Sequence, residues 1–167
     1  MRFSTILGFA AILPGGLANV ASAETARMSL LLDDGQTILR MEATGFPREK
    51  HGELFRGFEA AYQRTLNCPY LRENHSDLRE DLIDLYESDT VVLKYAPHGL
   101  DGDCASTRGW TFGWWWINPY TVISPLAFTG ACSGMISMTL FHEVIHLASV
   151  YATEEEIAVF EKQCRAW

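Results

Sequence analysis

Hydrophobic and polar residues recur along this chain with two different periods, and the longer period predicts helices. One helix is predicted from Pro47, which can open it, to about residue 66, and another from Ser76, which can cap it, to about residue 86. The apolar positions of these helices are Leu54, Phe55, Phe58 and Tyr62 in the first, and Leu78, Leu82, Ile83 and Leu85 in the second. Each helix therefore has one face for a core and one for solvent.

Shorter alternating stretches predict four strands, at residues 28–32, 37–41, 90–95 and 110–117. The first two flank Asp33-Asp34-Gly35-Gln36, a turn sequence that predicts a hairpin. Residues 97–108 are rich in Gly and Asp and predict a loop, whereas Asn118-Pro119 ends the last strand. The strands are few and short, so we expect a small sheet.

The last third of the chain is more apolar than the rest. Residues 133–149 predict one buried helix. A shorter closing helix follows it, with Ile157, Phe160 and Cys164 on its buried stripe. Since helices dominate and the sheet is small, the whole pattern predicts an α+β domain.

The first 23 residues predict a targeting signal rather than a part of the fold. Arg2 provides a positive start, residues 6–13 a short apolar core, and Ala21-Ser22-Ala23 the small residues of a cleavage site. The apolar core is too short to span a bilayer, and no later segment has 18 consecutive apolar residues. Removing 23 of the 167 residues would leave a single domain, residues 24–167, that is secreted or periplasmic.

The chain is acidic, with 13 Lys and Arg against 21 Asp and Glu. Cleavage would remove Arg2 and no acidic residue, so that the net charge would change from −8 to −9. An acidic domain without a basic cluster argues against binding to nucleic acid or to anionic membrane surfaces. We expect a monomer.

Four cysteines remain after the signal: Cys68, Cys104, Cys132 and Cys164. An even number in an exported chain predicts two disulfides, and the absence of C-x-x-C spacing argues against a cysteine zinc site. We predict that Cys132 pairs with Cys164 and Cys68 with Cys104. The first bridge would clamp one end of an antiparallel pair formed by the last two helices.

Candidate chemistry lies in the apolar helix of the last third. His142 and His146 are one helical turn apart, so both imidazoles can bind one ion. Glu143 stands beside that face, where its carboxylate can act as general base on a metal-bound water. Two buried histidines and a glutamate could also be satisfied by hydrogen bonds and an ion pair alone. Their spacing in an apolar helix favours one catalytic Zn²⁺.

A catalytic zinc needs a third protein ligand, and the chain after His146 contains neither His nor Asp. The downstream candidates are Glu154, Glu155, Glu156 and Glu161. We favour Glu156, because it flanks the buried stripe and the expected disulfide would set it near the two histidines. Thr153 and Glu156 also fit a capping box, which would explain this glutamate without a metal. Earlier in the chain, the alternatives are His98, Asp101 and Asp103.

The residues around the motif resemble a known family. Ile117-Asn118-Pro119, Cys132 and the stretch Thr139–His146 are similar to secreted zincin metallopeptidases, above all to the deuterolysin and peptidyl-Lys metalloendopeptidase group. The similarity covers about residues 110–164, and its most specific part is the His-Glu-x-x-His core. It implies a zincin-like fold, in which His142 and His146 bind zinc and Glu143 is the general base.

The chain departs from this group after the motif. It lacks the Gly-Thr-x-Asp segment whose Asp is the third ligand there. The resemblance is instead to a glutamate-ligand variant with Glu156, Glu161 and Cys164 in the closing helix. Any specificity for lysine is therefore not implied.

Aromatic residues near the motif suggest further roles. Trp110, Trp114, Trp115 and Trp116 would lie on a strand that could pair with extended substrate, although at least two of these indoles are expected in the core. A peptidase also needs an oxyanion donor besides zinc. Tyr151 and Tyr120 are candidates for that donor, and each also fits a packing role.

These features predict an exported zinc metalloendopeptidase that acts on a protein or peptide substrate. The alternative is a secreted, non-catalytic zinc-binding or toxin-like interaction module on the same fold. Glu143 favours the enzyme, because a protein that only binds the metal has no need of it.

Overall fold

A computed structural model describes residues 24–32, 34–88, 90–108, 119–132, 135–149 and 151–167. The predicted signal and the predicted strand with the four tryptophans lie outside these residues. The same holds for the predicted start of the apolar helix at residue 133 and for the Ile117-Asn118 part of the family resemblance. Within the described ranges, no helix is both long enough and apolar enough to cross a membrane.

Five strands of the described chain form one mixed sheet: β1 (Thr25–Leu31), β2 (Ile38–Thr44), β3 (Val91–Tyr95), β4 (Ala105–Arg108) and β5 (Tyr120–Ile123). Their order in the sheet is β1-β2-β3-β5-β4. The predicted hairpin is confirmed by the antiparallel pair β1–β2, and β3 confirms the strand predicted at 90–95. The sheet continues with β3 parallel to β2 and β5 parallel to β3, and β4 lies antiparallel to β5 at the edge.

Two strands were missed in the sequence. β4 lies in the segment predicted as a loop, and β5 follows Pro119, where no strand was predicted. β4 consists of Ala-Ser-Thr-Arg, which has no apolar alternation, so only its pairing with β5 makes it a strand. Four residues are also too few for a periodic pattern to be distinguished from a loop.

The described helices are α1 (Arg48–Asn67), α2 (Pro69–Asn74), α3 (Ser76–Glu87), α4 (Ile136–Ala148) and α5 (Glu154–Cys164), with a 3₁₀ turn at Pro125–Phe128. The predicted helices correspond to α1, α3, α4 and α5, and the α+β class with a small sheet is confirmed. The short α2 was missed. Ser76 is the first residue of α3 rather than its cap, since His75 occupies the cap position without a side-chain hydrogen bond.

Close packing against α1 holds α4 in place. A Cβ atom on Gly57 would lie 2.7 Å from a methyl group of Ile136, so the two helices approach as closely as they do only because this residue is Gly. Arg64 is buried and donates hydrogen bonds to the carbonyl groups of Ser137 and Cys164, at 3.5 and 3.2 Å. It therefore ties α1 to the start of α4 and to the end of α5.

The two disulfides join Cys68 to Cys164 and Cys104 to Cys132, with Cα–Cα distances of 5.2 and 6.0 Å. All four cysteines are bridged as predicted, but the predicted pairing was wrong. That pairing treated the last two helices as an isolated unit, whereas the end of α5 lies beside the junction of α1 and α2. Two disulfides fit an oxidising compartment.

Peptide mapping without reduction is expected to recover the Cys68–Cys164 and Cys104–Cys132 pairs. The first bridge spans 96 residues and the second 28. Replacing both cysteines of the longer bridge by Ser should therefore lower the free energy of unfolding by about 1 kcal/mol more than the same change in the shorter one. Urea unfolding of the two double variants measures this difference. A Cys132–Cys164 peptide would contradict the observed pairing.

Candidate metal centre

One face of α4 borders a cavity of about 620 Å³. The cavity lies between α4, β4 and α5, and its lining residues are Asp103, Cys104, Ala105, Ser106, Thr107, Cys132, Thr139, His142, Glu143, His146, Glu154 and Glu161. The ring centres of His142 and His146 are 5.0 Å apart, as expected for residues one helical turn apart. The three motif residues thus meet in one cavity, because the opposite face of α4 is occupied by the core.

Glu154, the first residue of α5, lies between the two imidazoles. Its Oε1 is 3.0 Å from Nε2 of His146, and its Oε2 is 3.2 Å from Nε2 of His142. Among the described residues, these three form the group whose ligand atoms all lie within 4.8 Å of one another. The Glu154 side chain is 74% exposed, so the group is open to solvent on that side.

The donor set of this group is chemically suited to zinc. Catalytic zinc sites use two His and one Glu with a fourth position left open, and the two ring nitrogens and the carboxylate provide that set. In a tetrahedral site with bonds of about 2.0–2.1 Å, neighbouring ligand atoms stand ~3.3 Å apart. The separations from Glu154, 3.0 and 3.2 Å, are close to this value. The two separations that involve Glu154 are therefore compatible with a bound ion.

Glu161 orients His142 from its other side. Its Oε1 is 3.3 Å from Nδ1 of His142. Because an ionised carboxylate only accepts hydrogen bonds, Nδ1 is the protonated nitrogen, and the lone pair of the neutral ring lies on Nε2. This is the tautomer that a metal ligand needs, and metal-bound histidines usually have such a carboxylate partner.

The charges around His142 favour its protonation in the metal-free protein. Burial lowers the pKa of His142, but the hydrogen bond to Glu161 and the charges of Glu143, Glu161 and Glu154 outweigh this, and the pKa is raised overall. In the metal-free protein, the protonated His142 can therefore donate a hydrogen bond to Glu154 through Nε2.

Glu143 is only 5% exposed, although it lines the cavity. Burial raises its pKa, while the hydrogen bond from Thr107 and the charges of His142 and His146 oppose the rise. The Thr107 hydroxyl donates to Oε2 at 2.7 Å. A buried carboxyl group with a raised pKa, beside two imidazoles in a cavity, is typical of a general acid–base group.

Glu156, which the sequence analysis favoured as the third ligand, does not take part in the group. Its carboxylate accepts hydrogen bonds from the backbone N–H and the hydroxyl of Thr153, both at 2.9 Å, and these bonds lower its pKa. This is the capping box that the sequence also suggested. The structure places Glu154 rather than Glu156 beside the histidines. The preference for Glu156 relied on a Cys132–Cys164 bridge, whereas Cys164 pairs with Cys68 and the N-terminus of α5 approaches the histidines.

The remaining candidates lie apart from the ligand group. Asp103 lines the cavity without joining the group, and Glu155 is exposed on α5. Tyr151 is 89% exposed and lies outside the cavity lining, so its assignment as oxyanion donor is not supported. Tyr120 does not line the cavity either, and its ring carries the Lys94 ammonium group 3.5 Å from its centre. His98 and Asp101 are likewise not part of the group.

The structure adds Thr107 to the predicted site. No motif in the sequence points to this residue, because it lies in a polar stretch that predicts a loop. Comparison with known proteins adds nothing further: no protein-family model, no curated protein and no solved structure matches the chain.

Proposed function

We propose that this chain is an exported, zincin-like zinc metalloendopeptidase. His142, His146 and Glu154 would hold the zinc, and Glu143 would be the general base. One observation carries the proposal: two imidazole Nε2 atoms and a carboxylate converge in a cavity that also contains a buried carboxyl group on the same helix. A site that only retained the metal would not need that second carboxyl group.

The chemistry divides between the ion and the protein. When bound, zinc would polarise the scissile carbonyl and lower the pKa of a water molecule towards neutrality. Glu143 would accept the proton of the attacking water and pass it to the leaving amine. A raised pKa suits this double role, because the group must both take up and release a proton near neutral pH.

β4 is the strand best placed to align a peptide substrate. It borders the cavity with Ala105, Ser106 and Thr107, and among the described strands it is one of the two edges of the sheet. An extended peptide could pair with such an edge through backbone hydrogen bonds. The sequence predicts this role for residues 110–117, which lie outside the described part of the chain.

The direct test is metal content together with peptide cleavage. Purified protein comprising residues 24–167 should contain one zinc per chain and cleave casein or a mixed peptide library. A chelator should abolish cleavage, and added zinc should restore it. Stoichiometric zinc without any cleavage would contradict the enzyme and favour the non-catalytic zinc-binding module.

Glu161→Gln is expected to weaken zinc binding by about 10- to 100-fold, as is usual when the partner of a metal-bound histidine is changed. Gln keeps the size of the side chain but replaces the ionised acceptor that fixes the His142 tautomer. Competition with a chromogenic chelator measures the affinity. Glu155→Gln on the exposed side of the same helix is the matched control and should bind zinc like the wild type. Equal affinities in the two variants would contradict this role.

A further inference from the structure

A chain of three buried or half-buried polar groups connects the sheet to the proposed general base. Thr121 on β5 is fully buried, and its hydroxyl lies 3.0 Å from the hydroxyl of Thr107 on β4. The two residues face each other directly in the antiparallel register of these strands. The Thr107 hydroxyl then reaches Oε2 of Glu143 at 2.7 Å.

The direction of these hydrogen bonds follows from the number of protons. Thr107 has one hydroxyl proton, and the possible acceptors are the Glu143 carboxylate at 2.7 Å, the Glu143 carbonyl at 3.2 Å and the Thr121 hydroxyl at 3.0 Å. The charged acceptor is the closest and the strongest, so the proton points to Oε2. Thr121 must then donate to Thr107. This bond polarises the Thr107 hydroxyl and so strengthens its hydrogen bond to Glu143.

We infer that Thr107, supported by Thr121, is a positioning residue that holds one carboxylate oxygen of Glu143, so that the other is aimed at the reacting water. This inference rests on the proposed peptidase function. A general base works only within hydrogen-bonding reach of the proton it takes, and a free carboxylate would rotate about its last bond. With Oε2 held by the edge of a sheet, that rotation is restricted before substrate arrives.

The first test compares variants that differ in the hydroxyl alone. Thr107→Val keeps the shape of the side chain and should lower kcat by about 10- to 100-fold, the size of effect that misplacement of a catalytic group produces. Zinc affinity should stay unchanged, because Thr107 is not a metal ligand. KM should also stay unchanged, because a peptide would pair with the backbone of β4, which Val retains. Thr107→Ser keeps the hydroxyl and should restore most of kcat. Thr121→Val, which removes only the donor to Thr107, should give a smaller loss of kcat.

The chain provides a matched control at the other end of the sheet. The hydroxyls of Thr25 on β1 and Thr44 on β2 lie 3.1 Å apart and form a solvent-exposed pair of directly opposed threonines, away from the cavity. Thr25→Val should therefore leave kcat unchanged. A similar loss of kcat in Thr25→Val and Thr107→Val would indicate a general effect on the sheet and would overturn the positioning role.

A second test does not depend on activity. In metal-free protein, Thr107→Val and Glu143→Ala should shift the urea midpoint of unfolding non-additively, because each removes the same contact, whereas Thr25→Val and Glu143→Ala should add. Additive shifts for the first pair would overturn the inference, whether or not the protein is a peptidase.

The outcomes separate this inference from the proposed function. A wild type that cleaves peptides while Thr107→Val retains full kcat would overturn the positioning role alone. A zinc-loaded wild type that cleaves nothing would overturn the proposed function, and the positioning role with it, even if the unfolding shifts were non-additive.

Discussion

Glu143→Gln is expected to retain zinc and the fold but to lose about 10²- to 10⁴-fold in kcat, the usual contribution of a general base. The amide has nearly the same shape as the carboxylate, and its oxygen can still accept the hydrogen bond from Thr107. It cannot take up the proton of the attacking water at neutral pH. In this variant, the measured zinc stoichiometry should therefore equal that of the wild type, whereas hydrolysis of a fluorogenic peptide should be largely lost.

The stability of the variant provides the control. Burial raises the pKa of Glu143 above its ordinary value of 4.5, so the folded protein binds this proton more tightly than the unfolded chain does. The contribution of Glu143 to stability consequently falls as the pH rises from the pKa of the unfolded chain through the higher pKa of the folded protein. Glu143→Gln removes this dependence of stability on pH. In the metal-free state, the variant should therefore be no less stable than the wild type at neutral pH. Turnover close to that of the wild type, with zinc bound, would contradict the mechanism.

Glu154→Ala is expected to weaken zinc binding by more than about 100-fold, which is the upper range for loss of a group that only supports a ligand. Glu154 contacts both imidazole Nε2 atoms, and the described residues contain no other carboxylate within the ligand group. Peptidase activity should fall together with zinc content, and a high zinc concentration should restore part of both. Chelator competition and atomic absorption measure the two quantities.

Glu156→Ala is the matched control, since it removes a carboxylate from the same first turn of α5. The substitution should remove the capping box and lower the melting temperature by a few degrees, while zinc is retained. The pKa of Glu156 is lowered by its Thr153 hydrogen bonds, so this contribution is present at neutral pH and disappears as the pH falls through the folded-state pKa. Loss of zinc in Glu156→Ala, with retention in Glu154→Ala, would show that α5 lies in the register first predicted.

The sequence by itself determined the four longer helices and the paired histidines. His142 and His146 are four residues apart in an apolar stretch, and helical geometry alone sets such residues on one face. Patterns of the same local kind predicted α1, α3, α5 and the β1–β2 hairpin, because apolar periodicity and turn residues involve only residues that are close in the sequence. The capping box at Thr153 and Glu156 is equally local, and the sequence indicates it as the alternative to a ligand role.

Only the tertiary structure decided which distant residues join the histidines. The choice between Glu154 and Glu156 depends on the direction from which α5 approaches α4, and that direction follows from packing against α1 and α2 and from the Cys68–Cys164 bridge. Thr107 depends on the pairing of a polar edge strand with β5, for which the sequence has no periodic signal. Contacts between residues far apart in the chain arise from burial of the whole core, so no local pattern records them.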